Sequence, residues 1–311
     1  MILQSTLKPK SKIYNMNILK TPKDFLDFSI PIYPPHNKSK NFEAYFYDFF
    51  INSKFNSEYI YIPIQWTNYL ISQNYGRSID ELVNFVEKSL DPEKRYFTIV
   101  QYAGGPLLPL PNTIIFSMGG TFNTKNHKTS KVIPLPLIYD GTIEKRNIKK
   151  NYLASYIGRP THDIRLKIEK KLKNIDNFFI KNLNSMDSTI GDRNLNLFTD
   201  IMNQSYFSIC PRGFGPTSFR LYESIQAGII PIYITDKFFL PFKEFLDWQE
   251  FSVLLKPRKI SSIPKIVDKI INSGDIDQMN TNLKNFSKKY FNFQYMSEYI
   301  KSIVEKQKTE I

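Results

Sequence analysis

The sequence predicts an α/β protein made of two parallel-sheet domains that face each other across a cleft. Three observations predict it. The chain has 311 residues, more than one hydrophobic core usually serves. Short apolar runs alternate with helical patterns in both halves, which is the grammar of a parallel sheet. Between the halves lies "GTIEKRNIKK" (141–150), charged and without apolar periodicity, where the domain boundary is placed.

The elements follow in order. Residues 1–40 are polar and proline-punctuated and read as an arm. "NFEAYFYDFFIN" (41–52) has apolar residues at helical spacing. A strand is expected at 58–64. In "SIDELVNFVEKSL" Ser78 followed by Glu81 has the capping-box pattern of a helix start. "RYFTIVQYAGGP" and "NTIIFSMGG" read as strands ending in glycine loops, and "SKVIPLPLIYD" as a short strand. The first domain therefore spans 41–145 and the second 146–311. In the second, strands are expected in "NYLASYIG", "NFFIKNL", "YFSIC", "IIPIYIT" and at 251–255. Helices are expected in "HDIRLKIEKKLKN", "NLNLFTDIMNQS" and "TSFRLYESIQAG", then near 262–273, 276–290 and 294–306. The last helix is expected to pack back on the first domain.

The balance of 42 basic and 29 acidic residues gives +13. That charge suits nucleic acid, an anionic membrane surface or a phosphorylated substrate, and equally a lysine-rich solvated surface. No nucleic-acid motif is recognised, so a nucleic-acid partner is not expected. No stretch approaches the ~20 apolar residues of a membrane span, and the N-terminal twenty residues lack a signal peptide's apolar core. A single cysteine, Cys210, excludes an intramolecular disulfide. Together these predict a cytoplasmic protein.

The chemistry concentrates in "SICPRGFGPTSFRLYESIQAGIIPIYITD" (208–236), which reads strand, loop, helix, strand. Ligands of open α/β sheets bind outside the carboxyl ends of the strands. Gly213 and Gly215 permit positive φ and close backbone approach, and Thr217 or Ser218 caps the helix. First-turn N–H groups lack intrahelical partners, so the helix start offers an anion site. Arg212 and Arg220 add donors suited to a diphosphate. Glu223, on the face of Arg220, could accept from a ribose diol or form an ion pair with that arginine. Gly228 fits the position just past the helix. Asp236 either touches the ligand or begins a turn.

These residues resemble the C-terminal signature of exostosin-type glycosyltransferases. The shared order is a strand ending at a Cys-Pro-x-Gly element, Ser-x-Arg-x-x-Glu, Gly-x-x-Pro, an aspartate, Leu-Pro-Phe and Leu-Asp-Trp before a strand. Upstream, "KKNYLASYIGRPTHDIR" is similar to the strand that enters the family's second domain, and the whole likeness covers roughly residues 130–260. The resemblance implies a GT-B fold, two Rossmann-like domains with the active site between them. It implies inverting transfer of a sugar from a nucleotide donor, usually UDP-linked, to a glycan acceptor, with no cofactor and no metal. No metal-ligand cluster is apparent, since His36, His127 and His162 are scattered. The donor diphosphate is then expected to meet Gly158, Arg159, Arg165, Arg212, Gly213, Ser218 and Arg220, and the nucleoside Glu223 and Asp236.

An inverting transfer needs a general base from the first domain. Where the family carries acidic residues before a glycine, this chain has Ala103 and Gly104. Asp140, Glu43 and His127 are the candidate bases, with Asp48 a further carboxylate, and Trp66 and Tyr102 are candidate acceptor-stacking rings. The missing carboxylate leaves open a catalytically impaired nucleotide-sugar or glycan binder on the same fold.

Overall fold

The computed structural model describes residues 17–29, 40–120, 130–139, 148–183 and 192–306. The first half holds helices α1 (Phe42–Asn52), α2 (Trp66–Ser72) and α3 (Asp80–Ser89) and strands β1 (Ile60–Tyr61), β2 (Tyr96–Val100), β3 (Thr113–Ser117) and β4 (Lys131–Pro134). All four strands are parallel, in the order β1-β2-β3-β4. β2 and β3 are buried along their whole length, which is why they read as unbroken apolar runs. Asn41 caps α1 by accepting from the Ala44 amide at 2.9 Å.

Three local expectations are corrected here. α3 starts at Asp80 with Ile79 at the cap position and no side-chain cap bond, so Ser78 does not open a capping box. The strand expected at 58–64 is shorter, Ile60–Tyr61, with one further bond from the Ile62 amide to the Phe97 carbonyl at 2.9 Å before the chain enters α2 at Trp66. Trp66, Thr67, Asn68 and Tyr69 are middling helix formers, and burial of Trp66 and Leu70 fixes this short helix instead. Finally, part of the expected arm is core: Ile18 bridges Tyr61, the Leu19 amide donates to the Tyr61 carbonyl at 2.8 Å, and Phe25 is buried edge-on to Tyr69.

The second half holds β5 (Tyr152–Gly158), α4 (Asp163–Leu172), β6 (Phe178–Asn182), α5 (Asp192–Asn203), β7 (Ser205–Pro211), α6 (Phe219–Gln226), β8 (Ile230–Ile234) and β9 (Val253–Leu255). The strands are again parallel, in the order β6-β5-β7-β8-β9. The chain runs outward from β5 to β6, then returns past β5 to place β7 on its other side. That reversal makes a topological switch point between β5 and β7, the place where open α/β sheets hold ligands in a crevice between diverging loops. The first sheet runs monotonically and has no such reversal among the described residues. Two Rossmann-like parallel sheets are thus present, as the sequence predicts.

Helices α7 (Ile263–Ser273), α8 (Asp275–Tyr290) and α9 (Phe293–Lys306) close the chain. Gly274, at φ 80°, supplies the left-handed residue between α7 and α8. α9 lies against α1: Phe293 packs 5.0 Å from both Phe42 and Tyr45, and the Ser57 hydroxyl donates to the Val304 carbonyl at 2.6 Å. One apolar cluster runs from Phe46, Phe97 and Phe116 through Leu135 and Leu137 to Ile209 and Ile232 in the second sheet. None of the described helices is long and apolar enough to cross a membrane.

Candidate functional site

The β5–β7 switch point gathers residues that are far apart in sequence. Arg165, on the first turn of α4, donates from Nε to the Arg212 carbonyl at 3.0 Å and from Nη1 to the Arg159 carbonyl at 2.9 Å. It therefore ties the loop after β5 to the loop after β7. It is nine-tenths buried, and a Cβ at Gly213 would stand 3.4 Å from its Nη2. That is ordinary contact distance, so a side chain at Gly213 would meet no clash, and neither Gly213 nor Gly215 adopts positive φ. Gly228, at φ 69°, does take the left-handed position after α6. At the end of β5, a Cβ on Gly158 would sit 2.7 Å from the Tyr156 hydroxyl. Arg159 follows it, half-buried, with its carbonyl held by Arg165.

Arg212 leaves β7 and pairs with Asp236 at the end of β8, while its Nη2 donates to the Phe214 carbonyl at 3.1 Å. Burial works to raise the Asp236 carboxyl, but the Arg212 hydrogen bond and charge outweigh it and hold that carboxyl below its ordinary value. Asp236 thus orients Arg212. The clamp thus holds the Phe214 carbonyl, and Phe214 as a residue is 71% exposed. Ser218 is the N-cap residue of α6, with extended backbone. Its buried hydroxyl makes no cap bond and has no partner among the described residues. Arg220 points back to the sheet: its guanidinium donates to the Ile157 carbonyl and lies 4.4 Å over Phe198 and 5.3 Å from the Tyr156 ring centre. Glu223 is 5% exposed, and the Tyr139 hydroxyl hydrogen-bonds to it. Burial first, and then this carboxylate, pushes the tyrosine hydroxyl well above its ordinary value.

The crevice is bounded by the first domain. A Cβ at Gly120, after β3, would strike Pro216 at 2.8 Å and Phe239 at 2.9 Å. Tyr139, at the end of the segment after β4, lies 6.1 Å from Phe219 at the start of α6. The loops after β2 and β3 are themselves pressed together: a Cβ at Gly119 would lie 2.4 Å from the Ala103 Cα and 2.6 Å from the Tyr102 carbonyl.

The first-domain candidates are largely corrected. Trp66 is fully buried, with Nε1 donating to the Thr98 hydroxyl at 2.8 Å, so it belongs to the core and cannot stack on an acceptor. Glu43 is 1% exposed. Its oxygens accept from the Gln101 amide at 2.7 Å and from the Thr67 amide and hydroxyl at 2.9 Å each. Burial raises this carboxyl to about 7, a value that suits a base. Geometry decides against it, because both oxygens are committed and sealed from any acceptor hydroxyl; Glu43 instead clamps α1 to the ends of β2 and α2. Asp48 is exposed in a surface pair with Lys40. Tyr102 is half-buried and donates to the Tyr75 carbonyl at 3.2 Å. Asp140 and His127 lie outside the described residues.

The structure adds Tyr139 and Phe214 to the crevice. Nothing in the sequence pointed to Tyr139, which is remote from α6 along the chain. The sequence does carry one Asp-x-Asp, Asp275-Ile276-Asp277, in the first turn of α8, where Asp275 accepts from the Ser273 hydroxyl at 2.7 Å. Among the described residues no three His, Cys, Asp or Glu side chains gather at one point.

Residues 104–270 match the Exostosin GT47 domain. A probable glucuronoxylan glucuronosyltransferase of Arabidopsis thaliana is 28% identical over 177 residues, covering 54% of this chain and 39% of the relative. A probable glycosyltransferase of the same plant is 36% identical over 70 residues, 22% of this chain and 15% of that protein. The Exostosin-1 homolog of Caenorhabditis elegans is 33% identical over 70 residues, 22% of this chain and 18% of that protein. The matched stretch thus spans well under two thirds of each relative's length. Among solved structures, the sucrose-phosphate synthase of Thermosynechococcus elongatus superposes with a TM-score of 0.45 at 8% identity, over 79% of this chain and 72% of that one. The pneumococcal O-GlcNAc transferase GtfA, solved with UDP and GlcNAc, gives 0.41 at 10% identity, over 86% and 60%.

Proposed function

The chain belongs to the exostosin GT47 family of glycosyltransferases, and from that premise we propose that it transfers a sugar, with inversion, from a UDP-linked donor to a glycan acceptor. The observation that carries the proposal is the convergence of Arg165, Arg212 and the start of α6 at the β5–β7 switch point. The diphosphate sits against the first-turn amides of α6, where the helix dipole favours an anion. Arg212, oriented by Asp236, neutralises charge as the sugar–phosphate bond breaks. Arg165 acts behind it as a positioning residue, since its donors already hold two loop carbonyls. Arg220 likewise sets the end of β5. Glu223, at the inner wall, accepts from the ribose, with Tyr139 sharing that carboxylate.

In this reading guanidinium groups and helix amides do the work that a divalent ion does elsewhere, and no cofactor takes part. The acceptor enters from the first-domain side, past the loops after β2 and β3, with Tyr102 at their surface. Its hydroxyl gives its proton to a base, and Asp140, next in the chain after Tyr139, is the residue to test first. The segment with Ala103 and Gly104, which carries no carboxylate, favours a second reading in which the site binds a nucleotide sugar without turning it over.

A screen of nucleotide diphosphate sugars, following nucleotide release, tests the proposal. Wild type is expected to turn over a UDP-sugar, and Arg212→Ala to lose about 10- to 100-fold in kcat/KM, the size of one charge-assisted hydrogen bond. Folded protein that binds UDP but turns over nothing supports the binder; failure to bind any nucleotide diphosphate sugar defeats both readings.

A further inference from the structure

His162 is one of three histidines scattered along the sequence, and no role follows from its position there. The fold places it in the N-cap position of α4, at the switch point, between the loops that leave β5, β7 and β8. Its Nδ1 accepts from the Ile164 amide at 3.2 Å. That bond fixes the tautomer of the neutral ring: the proton resides on Nε2, at the opposite edge, which remains a donor. The ring as a whole is half-buried.

We propose that His162 is a ligand of the donor diphosphate, its Nε2–H donating to a phosphate oxygen beside Arg212. The inference rests on the donor-site reading above and adds to it a residue on a third loop. The charged groups facing the ring are Arg212 and Asp236 from the loops after β7 and β8, and Asp163 and Arg165 on its own helix. Behind Asp236, Lys256 donates to its carbonyl at 2.7 Å. Burial first, and then Arg212, lower the imidazole below its ordinary value, while Asp236 and Asp163 oppose them. The free ring is therefore a neutral donor near neutral pH. A further proton could enter only at Nδ1, where it would displace the Ile164 amide, so the cap bond holds the ring as a neutral Nε2–H donor.

The two ring nitrogens can be separated by substitution. In His162→Asn a short side chain keeps the cap on the Ile164 amide but removes the outer donor. His162→Gln keeps a donor at longer reach. The experiment measures UDP and uridine binding by calorimetry, with melting temperatures, on the whole chain. His162→Asn is expected to melt with wild type and to bind UDP about 3- to 10-fold more weakly, the size of one neutral hydrogen bond, with uridine unaffected. His162→Gln is expected to recover part of that loss. Equal UDP binding by wild type and His162→Asn overturns the inference and leaves the donor site standing. An equal loss for uridine and UDP, or a loss that tracks melting temperature, assigns His162 to the helix cap alone. Wild type that does not bind UDP removes both the donor-site reading and this one.

Discussion

Glu43 shows how burial and bonding decide a residue's role together. Its carboxyl is raised from 4.5 to about 7 because α1 carries it into the interior, and three bonds from Gln101 and Thr67 only partly offset that. The folded chain therefore keeps a proton that the unfolded chain releases. This group's contribution to stability is full below pH 4.5 and is lost as pH rises to about 7, by about 3 kcal/mol at ~1.4 kcal/mol per unit. Denaturant unfolding across that interval should show the loss in wild type and its absence in Glu43→Gln; parallel curves for the two proteins would remove Glu43 as the source. Glu43→Gln is also expected to be less stable at neutral pH, because its amide must face a donor at Thr67 or Gln101. The sequence offered Glu43 as one carboxylate among several on a helix, and nothing in its spacing distinguished a sealed clamp from a base. Trp66 is the same lesson for rings, since only the Thr98 hydroxyl behind it reveals a core residue.

At the scale of elements, the loops carry the site and the glycines carry the loops. The turns after β2 and β3 touch backbone to backbone at Gly119, with no room for a methyl group. Gly119→Ala is therefore expected to displace the Tyr102–Ala103 segment. That should destabilise the protein by about 1–3 kcal/mol, the usual cost of overpacking, and weaken acceptor use more than UDP binding. The measurement is acceptor KM against UDP affinity in the same variant, and an equal change in both would show that the loop serves no acceptor. The strands and long helices were legible because their apolar periodicity is strong and local. α2 was not, because seven residues of middling propensity fold only when the first-domain core receives them. The start of α3 was missed because Ser78 had the right spacing for a cap while the chain entered the helix two residues later.

Over the whole molecule, α9 fastens the end of the second half onto the first. Its Phe293 packs on Phe42 and Tyr45, and one apolar cluster continues across both sheets. The two halves should therefore unfold in a single cooperative transition. Phe293→Ala is expected to lower that transition by about 3–5 kcal/mol, the range for losing a buried ring. Scanning calorimetry checks both statements: two separated transitions in wild type, or a loss under about 1 kcal/mol in the variant, would show that the halves are not joined there. The strand order belongs to this scale as well. Only the reversal around β5 places Arg159, His162 and Arg165, which follow β5 in the chain, beside the loop bearing Arg212.

The sequence by itself determined the alternation of strands and helices, the placing of most of them, and the anion-binding grammar of 208–236. Those are written in short-range spacing, because apolar period, glycine position and helix start depend on neighbours along the chain. The tertiary structure decided which strands lie side by side, which carboxylate is sealed, which arginine orients and which one faces the crevice, and that Tyr139 meets Glu223. Those outcomes depend on burial and on contacts between residues tens of positions apart, and a one-dimensional pattern carries no distance between them.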